Sequence, residues 1–130
     1  MTENTTEKIT INLSVVDLGK IDLLVEEGFY STRTDLIKTA IRNLLNTHES
    51  HIGQVVTRKS FAIGIVSYGR KDLEAAAAKG QPLEIKVVGM AFIDNNVTPE
   101  LAQAAIHSLE VRGVLRASEA VKKALGDKIK

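Results

Sequence analysis

Three side chains near the start of the chain, Lys8, Thr10 and Asn12, alternate with Ile9, Ile11 and Leu13 in the stretch KITINLS. With period two they fall on one face of an extended strand, while the three aliphatic residues fall on the other. An ammonium, a hydroxyl and an amide in a row can donate and accept hydrogen bonds. No convergent acid, base or nucleophile set accompanies them, so their chemistry is binding. A second polar cluster, Ser31, Thr32, Arg33 and Thr34, stands where a helix is expected to begin.

The remaining chemistry-bearing residues form no constellation. Cysteine is absent, which excludes disulfides and thiolate metal sites. His48, His51 and His107 show neither H-x-H nor H-E-x-x-H spacing, so no metal site is expected. GIVSYG at 64–69 lacks both the phosphate-loop lysine and the dinucleotide-binding glycine spacing. Ser67, Tyr68, Arg70, Lys71 and Asp72 pair no nucleophile with a base. No catalytic residue, no cofactor and no enzymatic activity are therefore expected.

The composition is that of an ordinary folded protein: 130 residues, 44% hydrophobic and 25% charged. The N-terminus carries neither the basic end nor the apolar block of a signal peptide, and no run suits a membrane span. A cytoplasmic protein without membrane contact is expected. Net charge is +1, but residues 1–50 hold five Lys/Arg against eight Asp/Glu, and residues 51–130 hold twelve against eight. Any polyanion bound by the first part must be met by the placement of single cations, not by bulk charge.

Residues 1–6 are polar and without pattern, and read as a mobile arm. Ser14 and Asp17 have the spacing of a capping pair, predicting a helix from about Val15, and Gly28 is placed to end it. Thr32 and Asp35 repeat that spacing and predict a second helix from Arg33, extending to about Arg58 with a weak point at Gly53. Its broad apolar face includes Leu36, Ile37 and Ile41, and that of the first helix Leu18 and Ile21. One short strand and two helices cannot close a core alone. Two copies can, with KITINLS paired antiparallel to itself beneath four helices.

This order, an alternating strand, a helix stopped by glycine and YSTRTDLIKTAIRNLL, resembles the ribbon-helix-helix family of DNA-binding proteins over about residues 7–48. The resemblance implies an intertwined homodimer whose core is Ile9, Ile11, Leu13, Leu18, Ile21, Leu36, Ile37 and Ile41. It also implies double-stranded DNA as partner, with Lys8, Thr10 and Asn12 toward base edges in the major groove. Ser31, Thr32, Arg33 and Thr34 would hold phosphates at the start of the second helix. The side chains suit this: Asn12 can pair bidentately with adenine, Lys8 can donate to guanine, and Thr10 can touch a base edge or a thymine methyl. Glu7 beside Lys8 and the acidic balance predict weak single sites, so several dimers are expected side by side.

The second half repeats itself. AIGIVS, VVGMAF and VRGVLR centre on Gly64, Gly89 and Gly113, spaced 25 and 24 residues apart. Each precedes a helical pattern, over 72–79, 98–107 and 118–125. Strand-helix alternation favours a parallel layer; an antiparallel α+β arrangement is the other possibility. The expected class is α+β. Residues 1–50 form a ribbon-helix-helix module, 51–60 a linker or helix extension, and 61–130 an α/β domain of three strand-helix units for oligomerisation or sensing. The function expected is that of a sequence-specific DNA-binding transcriptional regulator, a repressor acting as a dimer or higher oligomer, with any effector open. The alternatives are an antitoxin and a self-assembling scaffold dimerised by the ribbon.

Overall fold

A computed structural model describes residues 5–130. Of the arm expected over 1–6, residues 1–4 lie outside the described residues. The elements in order are α1 (Val15–Glu26), α2 (Arg33–Thr47), α3 (Glu49–Lys59), β1 (Ala62–Tyr68), α4 (Arg70–Ala78), β2 (Leu83–Ile93), α5 (Pro99–Ala105), β3 (Ile106–Arg116) and α6 (Glu119–Leu125), with a closing 3-10 turn at Gly126–Lys128. The described residues form two compact units, one of Lys8–Val55 and one of Val56–Lys130 together with residues 5–7.

The N-terminal unit begins its helices where the caps require. The Ser14 hydroxyl accepts from the Asp17 N–H at 3.1 Å, and the Thr32 hydroxyl from the Asp35 N–H at 3.0 Å. After α1 the chain turns at Gly28, whose φ is +86°. The long helix expected from Arg33 is interrupted, but at His48 and not at Gly53, which lies inside α3. Asn46, Thr47 and His48 are all poor helix formers, and the Thr47 hydroxyl donates to the Asn43 carbonyl at 3.0 Å, a back-bond that bends helices.

Among the described residues Lys8–Ser14 pairs with no strand. An isolated strand has no ladder partner, and none is provided by the two helices that follow it. Ile9, Ile11 and Leu13 are 73%, 63% and 42% exposed, and none of the three helices α1 to α3 contains a buried residue.

The C-terminal unit is built on a three-stranded parallel sheet in the order β1-β2-β3. The parallel arrangement is thus the one found, and the antiparallel alternative is not. Leu73 and Ala76 of α4, Ala102 and Ala105 of α5 and Val121 and Leu125 of α6 share one core with Ile85, Val87, Ala91, Ile93, Ile106 and Leu109 of the sheet. All three helices therefore cover the same sheet face. Strands β2 and β3 start four to five residues before the repeat motifs, so Ile106 and His107, expected at a helix end, open β3. Ile106 and Leu109 are fully buried although residues three apart fall on opposite faces of a regular strand; the register shift at Leu83/Glu84, where Ile106 pairs with Leu83 and Ser108 with Glu84, takes up the extra residue and lets both reach the core.

The repeat glycines form a column across the sheet: Gly64 lies opposite Gly89, and Gly89 opposite Gly113. Their φ angles are +137°, +135° and +128°. A Cβ on Gly89 would stand 2.1 Å from the Gly64 carbonyl oxygen, and one on Gly113 would stand 2.0 Å from that of Gly89. The spacing of the repeat is thus a packing requirement, since each strand approaches its predecessor too closely for any side chain at that point.

The sheet face opposite the helices carries Ile63, Ile65, Val88, Met90 and Val114, in a depression of about 280 Å³ that Thr5, Thr6 and Glu7 also line. The Arg116 guanidinium donates to the Thr6 carbonyl at 3.2 Å and lies 4.0 Å from the Glu7 carboxylate. Residues 5 and 6 of the expected mobile arm, and Glu7 after them, are therefore held, because the uncovered face offers them apolar contact and a cation.

Candidate nucleic-acid interface

The residues expected to meet base edges, Lys8, Thr10 and Asn12, are all exposed, as is each intervening residue from Lys8 to Leu13. Among the described residues no side-chain hydrogen bond or ion pair engages them. Glu7, the acid beside Lys8, is offset by the Arg116 guanidinium 4.0 Å away. The residues expected to form a dimer core fall into two groups. Leu18, Ile21, Leu36 and Ile37 are partly covered where α1 and α2 meet, while Ile9, Ile11, Leu13 and Ile41 are exposed.

At the start of α2 the side chains are ordered by one carboxylate. Asp35 accepts from the Ser31 N–H at 3.1 Å and from the Ser31 hydroxyl at 3.2 Å, while its own N–H is capped by Thr32. Ser31 and Thr32 thus fix the helix start, and Thr34 is exposed beside them. Arg33 is engaged elsewhere. Its Nε donates to Asp22 Oδ1 at 2.7 Å and its Nη2 to Asp22 Oδ2 at 2.8 Å, a two-point pair that ties α2 to α1. A phosphate at this helix end would have to compete with Asp22 for the guanidinium. Sequence reasoning placed Arg33 correctly at the first helical turn but missed Asp22. The only available signal was that both stand on the charged sides of adjacent helices.

Hydrogen bonding from Arg33, reinforced by its charge and opposed by partial desolvation, holds the Asp22 carboxyl below its ordinary value of 3.8, and Arg33 is raised above its own. A carboxyl whose pKa falls on folding contributes stability above its unfolded value and loses it as pH falls through the folded one. The α1–α2 tie should therefore weaken only below pH 3.8. Carboxyl carbon shifts followed by NMR should give Asp22 a midpoint under that value, and Arg33→Ala should return it upward. An unchanged midpoint in Arg33→Ala would dissolve the pair.

Other cations lie on the surface. Arg70 pairs with Glu74 one helical turn away at 2.7 Å, and Lys38 and Arg42 are exposed on α2. Among the described residues no group of three or more His, Asp or Glu side chains is disposed to hold a metal ion, and no helix is long and apolar enough to cross a membrane.

The family model described as Ribbon-Helix-Helix transcriptional regulator family matches residues 4–122. The similarity first seen over about residues 7–48 therefore extends through the sheet and into α6, so the strand-helix repeats are part of what is shared. No curated protein and no solved structure matches the chain.

Proposed function

The chain belongs to the ribbon-helix-helix transcriptional regulator family, and from that premise we propose that it is a sequence-specific repressor acting as a homodimer or higher oligomer. Two copies of Lys8–Ser14 pair antiparallel, burying Ile9, Ile11 and Leu13 between them and presenting Lys8, Thr10 and Asn12 to the major groove. Ser31, Thr32, Arg33 and Thr34 hold the flanking phosphates, with Arg33 exchanging Asp22 for a phosphate oxygen. Operator occupancy then blocks access to the DNA, and residues 61–130 set how many dimers bind together.

The observation that carries this reading is that the N-terminal unit contains no buried residue. A unit of Lys8–Val55 with regular, well-capped helices, exposed aliphatic residues along one edge and no buried residue is half of a core. The antitoxin alternative is less well supported, because residues 61–130 already possess their own buried core and need no second protein to order them.

The test is selection of bound sequences from a palindromic DNA library by the wild type and by Asn12→Ala. A bidentate amide–adenine pair carries about 1–3 kcal/mol of discrimination, and a dimer contains two. Asn12→Ala should lower affinity for the selected site by about a hundredfold on that basis while leaving binding to random DNA nearly unchanged. Equal sequence choice by both proteins would remove base reading by this strand.

A further inference from the structure

We infer that the free edge of β1 is an assembly edge, to which β1 of a second copy adds antiparallel about a two-fold axis. This rests on the higher-order assembly proposed above and identifies the surface responsible.

The two edges of the sheet are treated differently. Along β3 the charged residues Glu110, Arg112 and Arg116 alternate, and the C-terminus closes part of the edge: Ile129 bridges Leu109, and the Lys130 N–H donates to the Leu109 carbonyl at 2.9 Å. Charge and cover are the usual means of preventing a strand from recruiting another. Strand β1, AIGIVSY, has neither. It carries no charged residue and no proline, among the described residues no strand pairs with its outer edge, and Ile63 and Ile65 are 64% and 51% exposed. Parallel sheets are ordinarily covered on both faces, whereas this one has helices on one face only.

Gly64 makes the second argument. Gly89 and Gly113 are required because the preceding strand's carbonyl lies where a Cβ would be, yet a Cβ on Gly64 would meet nothing within 4 Å. Gly64 keeps the same positive φ at an edge where the chain itself supplies no close neighbour. The edge is thus shaped for a backbone that the single chain does not contain.

The occupant follows from what the edge can accept. A β3 edge from another copy is charged and partly closed by its own C-terminus, so head-to-tail stacking is disfavoured. A second β1 brings the same uncharged apolar strand, and two identical edges meet isologously in a closed pair. The result is a six-stranded sheet with a parallel half on each side of the axis and Ile63 and Ile65 of both copies side by side. Mixed sheets of this kind are common.

Sedimentation of the full-length protein over a range of concentrations tests this, using wild type, Ile65→Lys, Ile11→Lys and the double variant, with circular dichroism to confirm folding. The wild type should reach the mass of four chains, each single variant that of two, and the double variant that of one. Lysines brought together across the axis should weaken the β1 contact by about a hundredfold or more. Ile63→Lys, altering the other exposed isoleucine, should reproduce Ile65→Lys. If both lysine variants of β1 keep the wild-type mass at every concentration, the β1 edge is not the contact. If Ile11→Lys keeps the wild-type mass while Ile65→Lys halves it, the edge stands and the ribbon reading fails.

Discussion

Gly89→Ala should unfold the C-terminal sheet, lowering stability in urea by about 4 kcal/mol or more, a loss reserved for substitutions that force the backbone to move. The added methyl would lie 2.1 Å from the Gly64 carbonyl oxygen, and its neighbour there is main chain in a hydrogen-bonded ladder, not a side chain able to rotate away. Gly89 is in the central strand, so a shift to relieve the contact disturbs the pairing with both β1 and β3. Gly80→Ala separates the clash from the dihedral. Gly80 also has a positive φ, +64°, but open space around its Cβ position, and should cost only about 1–2 kcal/mol. Similar losses in the two variants would mean that the glycine column serves conformation alone and not close strand approach.

That column also marks how far the sequence could be read. Glycines at a period of about 25 residues, two of them followed by a helix with a hydroxyl or proline start at Thr98, Pro99 and Ser118, were sufficient for the strand-helix alternation and favoured parallel order, because each signal is local. The true starts of β2 and β3 were hidden, since Leu83–Lys86 and Ile106–Glu110 alternate only weakly and their burial depends on helices elsewhere in the chain. In the N-terminal unit the caps at Ser14 and Thr32 placed two helices correctly, again from contacts spanning three residues. The break at His48 was missed because it arises from a side-chain back-bond at Thr47 and from three successive weak helix formers. The Asp22–Arg33 pair was equally invisible, as it joins residues eleven apart through the packing of two helices. The alternation of KITINLS was legible, but what it implies is a relation between chains, and a single chain leaves its residues exposed.

Ile11→Lys should have the largest effect of any single change in the N-terminal unit, because it acts on a core that exists only when two chains share it. Burying an isoleucine side chain is worth about 1.5–3 kcal/mol, and the two-fold relation removes two of them. An ammonium left in the shared interior adds a desolvation penalty, so the dissociation constant of the ribbon dimer should rise by at least about a thousandfold, the equivalent of some 4 kcal/mol. Folding and association are linked here: with no buried residue in α1, α2 or α3, the helices of a lone chain have only local bonds and partial α1–α2 contact to hold them. Hydrogen exchange read by segment should therefore show protection lost over Lys8–Val55 and retained over the buried strands and helices of the C-terminal core. Asn12→Ala provides the contrast, since it alters the opposite face of the same strand. It should keep the wild-type mass and exchange pattern and lose only sequence choice on DNA, whereas Ile11→Lys should lose mass, protection and DNA binding together. If Ile11→Lys retains the wild-type mass and protection, the apolar face of KITINLS does not join two chains, and the polar face has no ribbon from which to read DNA.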